Sequence, residues 1–430
     1  MKILTRALAA GAVAAVTIGL AACSGPATPE PSGSTSTGTS AGSQPSGTVT
    51  GIFDIQYKKA LEPIVADFEA KYPGVKVEIN YQGGDVGSVI QTQLQANTAP
   101  DVLLTFPGGD VNSNSLNVVP LAAQGRIVEL TADWQKDIPD LWKSAVEYQD
   151  KLYAFPGAVQ PLAAIYNQTL LDEYSLKVPT TMDEVIQLCS DAKAKGVYAY
   201  AQGLGDTSAG PQMLSFAQTA TLVYGTNPTW DQGLATGANS YVGSGWQQQF
   251  ELYNQMFKAG CFGEGALGRS RTQGQESVAQ RKALGVVDVG AVLAGIKAAN
   301  AKDSFVITSM PADNTGTTFI SSLPIYTLTV NAKAKNADAA KAFVVFAGEQ
   351  EESAKYAEGF NAVPLIPNAG FKPSAEMKGF NDLVQANKTA QLASIQPEVQ
   401  TTLNTGVQSM LLGKETPEGL AKKMQDAYSK

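Results

Sequence analysis

The stretch TVTGIFDIQYKKALEPIVADFEAKYPGVKVEINYQ, residues 48–82, decides the architecture. Val49 to Phe53 reads as a short buried strand. Tyr57, Leu61, Ile64, Val65, Phe68 and Tyr72 then recur at helical spacing along one stripe. Pro63 is expected in the first turn of that helix, where its missing N–H costs nothing. Tyr72-Pro73-Gly74 stops the helix, and Val75, Val77 and Ile79 alternate with polar residues as a second strand. Beyond it, Val89 to Ala96 forms a helix, Pro100-Asp101 a break, and Val102-Leu103-Leu104 a fully apolar third strand. Strands joined by helices imply a parallel sheet.

The same grammar returns downstream. Thr181 opens a helix with a Thr-x-x-Glu capping box closed by Glu184, and Val185, Ile186 and Cys189 face inward. Val197 to Ala201 is a strand, and Trp246 to Phe257 an amphipathic helix. Leu284 to Val287 and Phe305 to Thr308 are strands flanking a helix around Ile296. Ala337 to Phe346, Glu351 to Phe360 and Glu418 to Tyr428 are helices. No fixed-period repeat is visible, and no second low-complexity linker separates the two halves. Two α/β units are therefore interleaved along the chain and not strung in series.

The amino terminus sets the compartment. Lys2 and Arg6 precede an apolar, small-residue stretch from Ala7 to Leu20, and Leu20-Ala21-Ala22-Cys23 ends it. Charge, then an apolar core, then small residues is the order of a signal peptide, here residues 1–22. The stretch is too short and too interrupted for a comfortable spanning helix. In positions 24–48, 21 of 25 residues are Ser, Thr, Gly or Pro. Such a segment has nothing to bury and reads as a flexible tether, so residues 23–48 form a leash.

Composition removes whole classes of chemistry. There are no histidines among 430 residues, which excludes Ser-His-Asp and Cys-His mechanisms and any His-ligated metal site. The formal net charge of −8, without a long basic run, argues against nucleic acid. No Asp-x-Asp-x-Asp spacing supports a bound cation, and no cofactor is implied. Cys189 and Cys261 remain after Cys23. In an exported setting an even pair invites a disulfide, the alternative being two buried thiols.

Several segments resemble one family. Leu-Ala-Ala-Cys23 resembles the bacterial lipobox, which implies lipidation of Cys23. Phe68-Glu-Ala-Lys-Tyr-Pro-Gly-Val-Lys-Val77 is similar to the first helix and second strand of the family 1 extracellular solute-binding proteins. Ala99-Pro-Asp-Val102, Gly125-Arg-Ile-Val-Glu-Leu130 and Lys151-Leu-Tyr-Ala-Phe-Pro156 with Ile165-Tyr-Asn167 resemble later segments of that family, in order. So do Pro179-Thr-Thr-Met-Asp-Glu184 and Leu412-Gly-Lys-Glu-Thr-Pro-Glu418. The resemblance spans about 370 residues. It implies a type II, periplasmic-binding-protein-like α/β fold, with two doubly wound lobes joined by hinge crossings. Lobe 1 is expected at 49–160 plus 315–360, lobe 2 at 161–314 plus 361–430. The implied function is capture of a small solute, a sugar foremost, for the transmembrane subunits of an ABC importer. The protein is then a monomer and not an enzyme, lipid-anchored at the extracytoplasmic face of a bacterial membrane.

Sugar recognition needs flat aromatic faces together with amides and carboxylates that pair with hydroxyls. The loop after the first strand offers Asp54, Gln56 and Tyr57. The loop after the third offers Phe106, Gly108, Gly109 and Asp110. Gln160 stands at a crossing that resembles a ligand-contacting hinge of the family. Gln202 and Asp206 follow the strand ending near Ala201, Trp230 is a stacking candidate, and Phe319 and Ser322 lie in a re-entry loop. Many relatives carry Gly-Ser-Trp or Gly-Pro-Trp where this chain reads Gly290-Ala291-Val292. The missing platform leaves Asp288 in its place and weakens the case for a long maltodextrin. Two other classes compete: a secreted carboxylate-pair glycosidase and a surface-tethered adhesion lipoprotein.

Overall fold

The computed structural model describes residues 44–428, apart from 84, 85, 110, 112, 114, 208 and 394. The leader, Cys23, the tether as far as residue 43, and Asp110 lie outside the described residues. Strand β1 (Gly47–Asp54), the helix Lys58–Lys71, strand β2 (Val75–Gln82), the helix Val86–Gln95 and strand β3 (Val102–Thr105) follow in order. β1 pairs in parallel with both β2 and β3. The first helix buries Leu61, Ile64 and Phe68, the stripe its spacing predicts. Pro63 sits in its second turn, not its first, because a 3-10 turn at Ile55–Tyr57 comes first and the regular helix opens only at Lys58. The carbonyl that loses its donor is that of Lys59, an exposed residue reached by water.

The purely parallel expectation then breaks down. Strand β4 (Ala154–Phe155) is followed, after only Pro156 and Gly157, by the ten-residue β5 (Ala158–Asn167), which founds a second sheet. Strands β6 (Tyr198–Tyr200), β7 (Ala283–Val289), β8 (Phe305–Thr308) and β9 (Ile320–Pro324) join that second sheet. β10 (Thr327–Val330) returns to the first, and β11 (Val363–Pro364) and β12 (Thr389–Gln391) go back to the second. The orders are β2-β1-β3-β10-β4 and β12-β9-β5-β7-β6, with β8 and β11 also on β5. β5 runs antiparallel to β7, β8, β9 and β11. A parallel neighbour needs a long crossover on the same sheet. A strand entering directly from the other sheet carries no such constraint, and both sheets are mixed for that reason.

Two cores support this two-lobed arrangement. In the first, Phe68 packs on Phe343 and Phe346 with ring centroids 5.2 and 5.4 Å away. In the second, Trp246, Phe250 and Tyr253 of the helix Gly245–Lys258 are fully buried. Cys189 and Cys261 are bonded to each other inside that second core, joining the helix Met182–Ala194 to the turn after Gly245–Lys258.

The capping at Thr181 differs by one residue from its sequence pattern. The Thr181 hydroxyl accepts from Glu184 N, but the Glu184 carboxylate is held chiefly by Thr180, accepting from its N at 2.7 Å and from its hydroxyl at 2.8 Å. A complete reciprocal box occurs instead at Ser270 and Gln273, opening the helix Arg271–Ala279.

The chain changes sheets at residues 156–157 and 325–326 and, after the helix Gln350–Gly359, at 360–362. Gly157 has φ +71°, and a Cβ there would sit 3.3 Å from both the Tyr326 carbonyl oxygen and the Tyr356 ring. Glycine is required at that crossing.

Candidate functional site

Parallel strands splay at their carboxyl ends, and β1 and β3 direct theirs at the crossings between the sheets. The turn after β1 carries Gln56 and Tyr57, and the segment after β3 carries Phe106 and Pro107. Opposite stand Gln160 on β5, Ala291 after β7, and Leu392 and Ala393 after β12. Together they enclose a cavity of about 610 Å³. That size is typical of small-molecule sites.

Its floor is aromatic. Tyr57 stacks on Tyr326 at 5.9 Å and meets Phe360 edge-on at 4.8 Å, while Phe106 stands at 86° to Tyr326, 4.5 Å away. Phe106 remains 39% exposed and lines the cavity. Burial is the main cause that holds the Tyr57 phenol protonated far above its ordinary range, with Tyr356, Tyr326 and Asp54 adding to it.

Carboxamides supply the polar lining. Gln160 Oε1 accepts from Ala291 N at 3.2 Å, and Asn117 Nδ2 donates to the Pro107 carbonyl at 2.9 Å. Two smaller arms share residues with this cavity. One, about 110 Å³, adds Asp54, whose Oδ1 accepts from Gln56 N at 2.9 Å. The other, about 510 Å³, adds Ser322, Gln391 and Trp142. A larger concavity of about 960 Å³ lies at the opposite ends of β1 and β3, against Thr48, Asn97 and Lys335, away from the crossings. Among the described residues, no group of acidic or cysteine side chains could hold a metal ion, and no helix is long and apolar enough to cross a membrane.

Comparison with known proteins bears on the family and the fold. The sequence pattern of the bacterial extracellular solute-binding proteins matches residues 54–354. The chain belongs to that family. It is 23% identical over 310 residues to the multiple sugar-binding protein of Streptococcus mutans, covering 69% of each chain. It is 25% identical over 229 residues to the melibiose/raffinose/stachyose-binding protein of Bacillus subtilis, covering 51% of this chain and 50% of that one. Its fold superposes on apo RafE from Streptococcus pneumoniae with a TM-score of 0.72 at 20% identity, over 90% of this chain and 98% of the other. A member of this family binds a solute and performs no chemistry on it.

Within this solute-binding protein, the residues singled out from sequence fall into two sets. Gln56, Phe106 and Gln160 line the main cavity, with Asp54 and Ser322 in its arms. Tyr57 also lines the main cavity, and Gly108 and Gly109 its larger arm, whereas Gln202, Asp206, Trp230, Phe319 and Asp288 are outside the lining. Gln202 is buried and holds the loop after β6 to its neighbours, donating to the Gly210 and Val287 carbonyls and accepting from Val287 N. The Asp206 carbonyl accepts from Gly210 N at 2.7 Å, starting the helix Gly210–Thr219. Trp230 is packed in the second core, 5.3 Å from the Tyr241 ring. Phe319 covers Gly225, where a Cβ would lie 2.3 Å from its ring. Asp288 is engaged by Arg271. Sequence reasoning did not single out Tyr326, Phe360, Asn117 or Gln391. Tyr326 and Phe360 lie at crossings before β10 and β11, Gln391 ends β12, and Asn117 opens the helix Val118–Ala123, so none carries a local mark of which sheet or loop it faces. Pro324 directly before Ile325-Tyr326 was the available sign of a break there.

Proposed function

We propose that this protein is a lipid-anchored extracytoplasmic receptor that captures a sugar between its lobes and delivers it to an ABC importer. The observation that carries the reading is the aromatic floor under a carboxamide rim. Flat rings suit the C–H face of a pyranose, and amides suit its paired hydroxyls. The two relatives in Streptococcus mutans and Bacillus subtilis carry names that assign them sugars, which supports the same class here. The lobes are proposed to meet at residues 156–157, 325–326 and 360–362. Pairing of β9 with β5 moves the proposed boundary expected at 315 to about 325. Ligand would bridge these crossings and bias an open–closed equilibrium that the importer subunits can read. Proposed contacts are Asp54, Gln56, Phe106, Gln160 and Ser322. A glycosidase needs two carboxylates facing across the site. Among the described lining residues of the cavity and its arms, Asp54 alone is acidic.

The test is a thermal-shift and calorimetric screen of neutral, acidic and amino sugars, polyols and amino acids. A ligand at 100 times its Kd adds about 2.7 kcal/mol to the folded state, a visible shift. Silence from every saccharide rejects the sugar reading. Phe106→Ala should weaken the best sugar about 10-fold, since a ring contact of roughly 1.4 kcal/mol is removed. An unchanged Kd would put the sugar elsewhere. Cys23→Ser should move the protein from the membrane fraction to the medium. Retention on the membrane would argue against the anchor.

A further inference from the structure

The formal charge of the cavity and its arms has one sign, and several of their polar groups present acceptors. Asn117 has one N–H taken by the Pro107 carbonyl, which leaves its oxygen to the cavity. Gln391 Nε2 donates to the Leu141 carbonyl, leaving its oxygen on the larger arm. The Ser322 hydroxyl donates to the Ala390 carbonyl at 3.3 Å, so its remaining capacity is as an acceptor. Asp54 is a carboxylate, which accepts only, and Gln56 N engages just one of its oxygens. Gln160, with its oxygen taken by Ala291 N, the Gln56 carboxamide and the Trp142 indole N–H are counter-cases that offer donors, and all three are neutral. Among the described lining residues of these three spaces there is no Lys or Arg.

A trough that offers acceptors and a carboxylate suits a ligand rich in donors. Hydroxyls donate and can rotate to do so, and ammonium groups donate only. Carboxylates and phosphates accept only, and would face acceptors and a like charge at short range. From this we infer a charge filter at the site. The cavity takes neutral or amine-bearing oligosaccharides and refuses anionic ones, and Asp54 is the specificity-determining residue. The inference rests on the sugar-receptor reading given above. It deepens that reading by naming which sugars are admitted.

The experiment uses the full chain and three versions of one oligosaccharide, the best neutral binder from the screen. The second version carries a terminal C6 carboxylate, and the third a terminal 2-amino group. At pH 7 the acidic version should bind at least about 30-fold more weakly than the neutral one, and the amine at least as tightly. Asp54→Asn should shrink the neutral-to-acidic ratio about 10-fold. Glu62→Gln removes the same charge from an exposed position on the helix Lys58–Lys71 and should leave the ratio unchanged. Equal binding of neutral and acidic versions overturns the filter while leaving the receptor intact. Refusal of the amine as well would mean that the site rejects charge of either sign, and would also overturn it. A ratio that falls equally in Glu62→Gln would assign the effect to net charge and remove Asp54 from the role. If no saccharide binds, the receptor reading fails first and the filter falls with it.

Discussion

Arg271→Ala is expected to lower stability by about 3–5 kcal/mol, the usual cost of stranding one member of a buried ion pair. Asp288, at the end of β7, is 1% exposed. Arg271 Nε donates to its two oxygens at 3.0 and 2.8 Å, and the guanidinium terminus also contacts it. Gln275 Nε2 and Val289 N complete the shell at 3.1 and 2.7 Å. The hydrogen bond to Asp288 is the largest cause raising the Arg271 pKa, opposed by burial. The capping box at Ser270 and Gln273 positions Arg271 in the first turn, so the pair is held from both sides. Truncation leaves Asp288 with two neutral donors and no cation. Urea denaturation of the variant beside wild type measures the loss. Arg271→Met combined with Asp288→Leu should recover most of the loss, because the pair's own net contribution is small. If the single variant is within about 0.5 kcal/mol of wild type, water reaches Asp288 and the pair is a surface contact.

Loss of the Cys189–Cys261 bond should cost about 4 kcal/mol, the chain-entropy value for a closed loop of this size. The two cysteines are 72 residues apart and both are buried. Their bond fastens the helix Met182–Ala194 to the end of Gly245–Lys258. Reduction and the Cys189→Ala, Cys261→Ala double variant test the bond by independent routes. Reduction keeps both sulfur atoms, whereas the double variant also removes their packing. Equal shifts in the urea midpoint would assign the loss to the cross-link. A larger loss in the variant alone would assign the difference to packing. A midpoint insensitive to reductant would mean that no bond contributes.

The reading of residues 48–104 was possible from sequence because each element there is bounded by its own chemistry. Tyr72-Pro73-Gly74 ends a helix wherever it stands, and Val75, Val77 and Ile79 alternate whatever they pack against. Pro63 was misplaced by one turn because the 3-10 turn before Lys58 leaves no sequence mark. Glu184 was paired with Thr181 for a similar reason, since Thr180 offers an equivalent donor one residue earlier. For the site, Gln56 and Phe106 were legible because they follow strands, and Gln160 because its crossing resembles a hinge of the family. Gln202 and Asp288 carry the same signature, a polar residue at a strand end. Their side chains are satisfied by Val287 and by Arg271, partners that no sequence spacing reveals.

By itself the sequence determined the alternation of strands and helices, the absence of histidine chemistry, and the low-complexity composition near the start of the chain. Those depend on composition and on periods of two and 3.6, which are local. Tertiary structure alone decided which sheet each strand joins, that β5 runs antiparallel to its neighbours, and that Tyr57, Phe106, Tyr326 and Phe360 share one floor. Tyr57 and Tyr326 stand far apart in the chain, and only the crossings at 156–157, 325–326 and 360–362 bring such residues together. Contacts of that kind arise from long-range packing, where any one segment's pattern is compatible with several partners and the whole core selects among them.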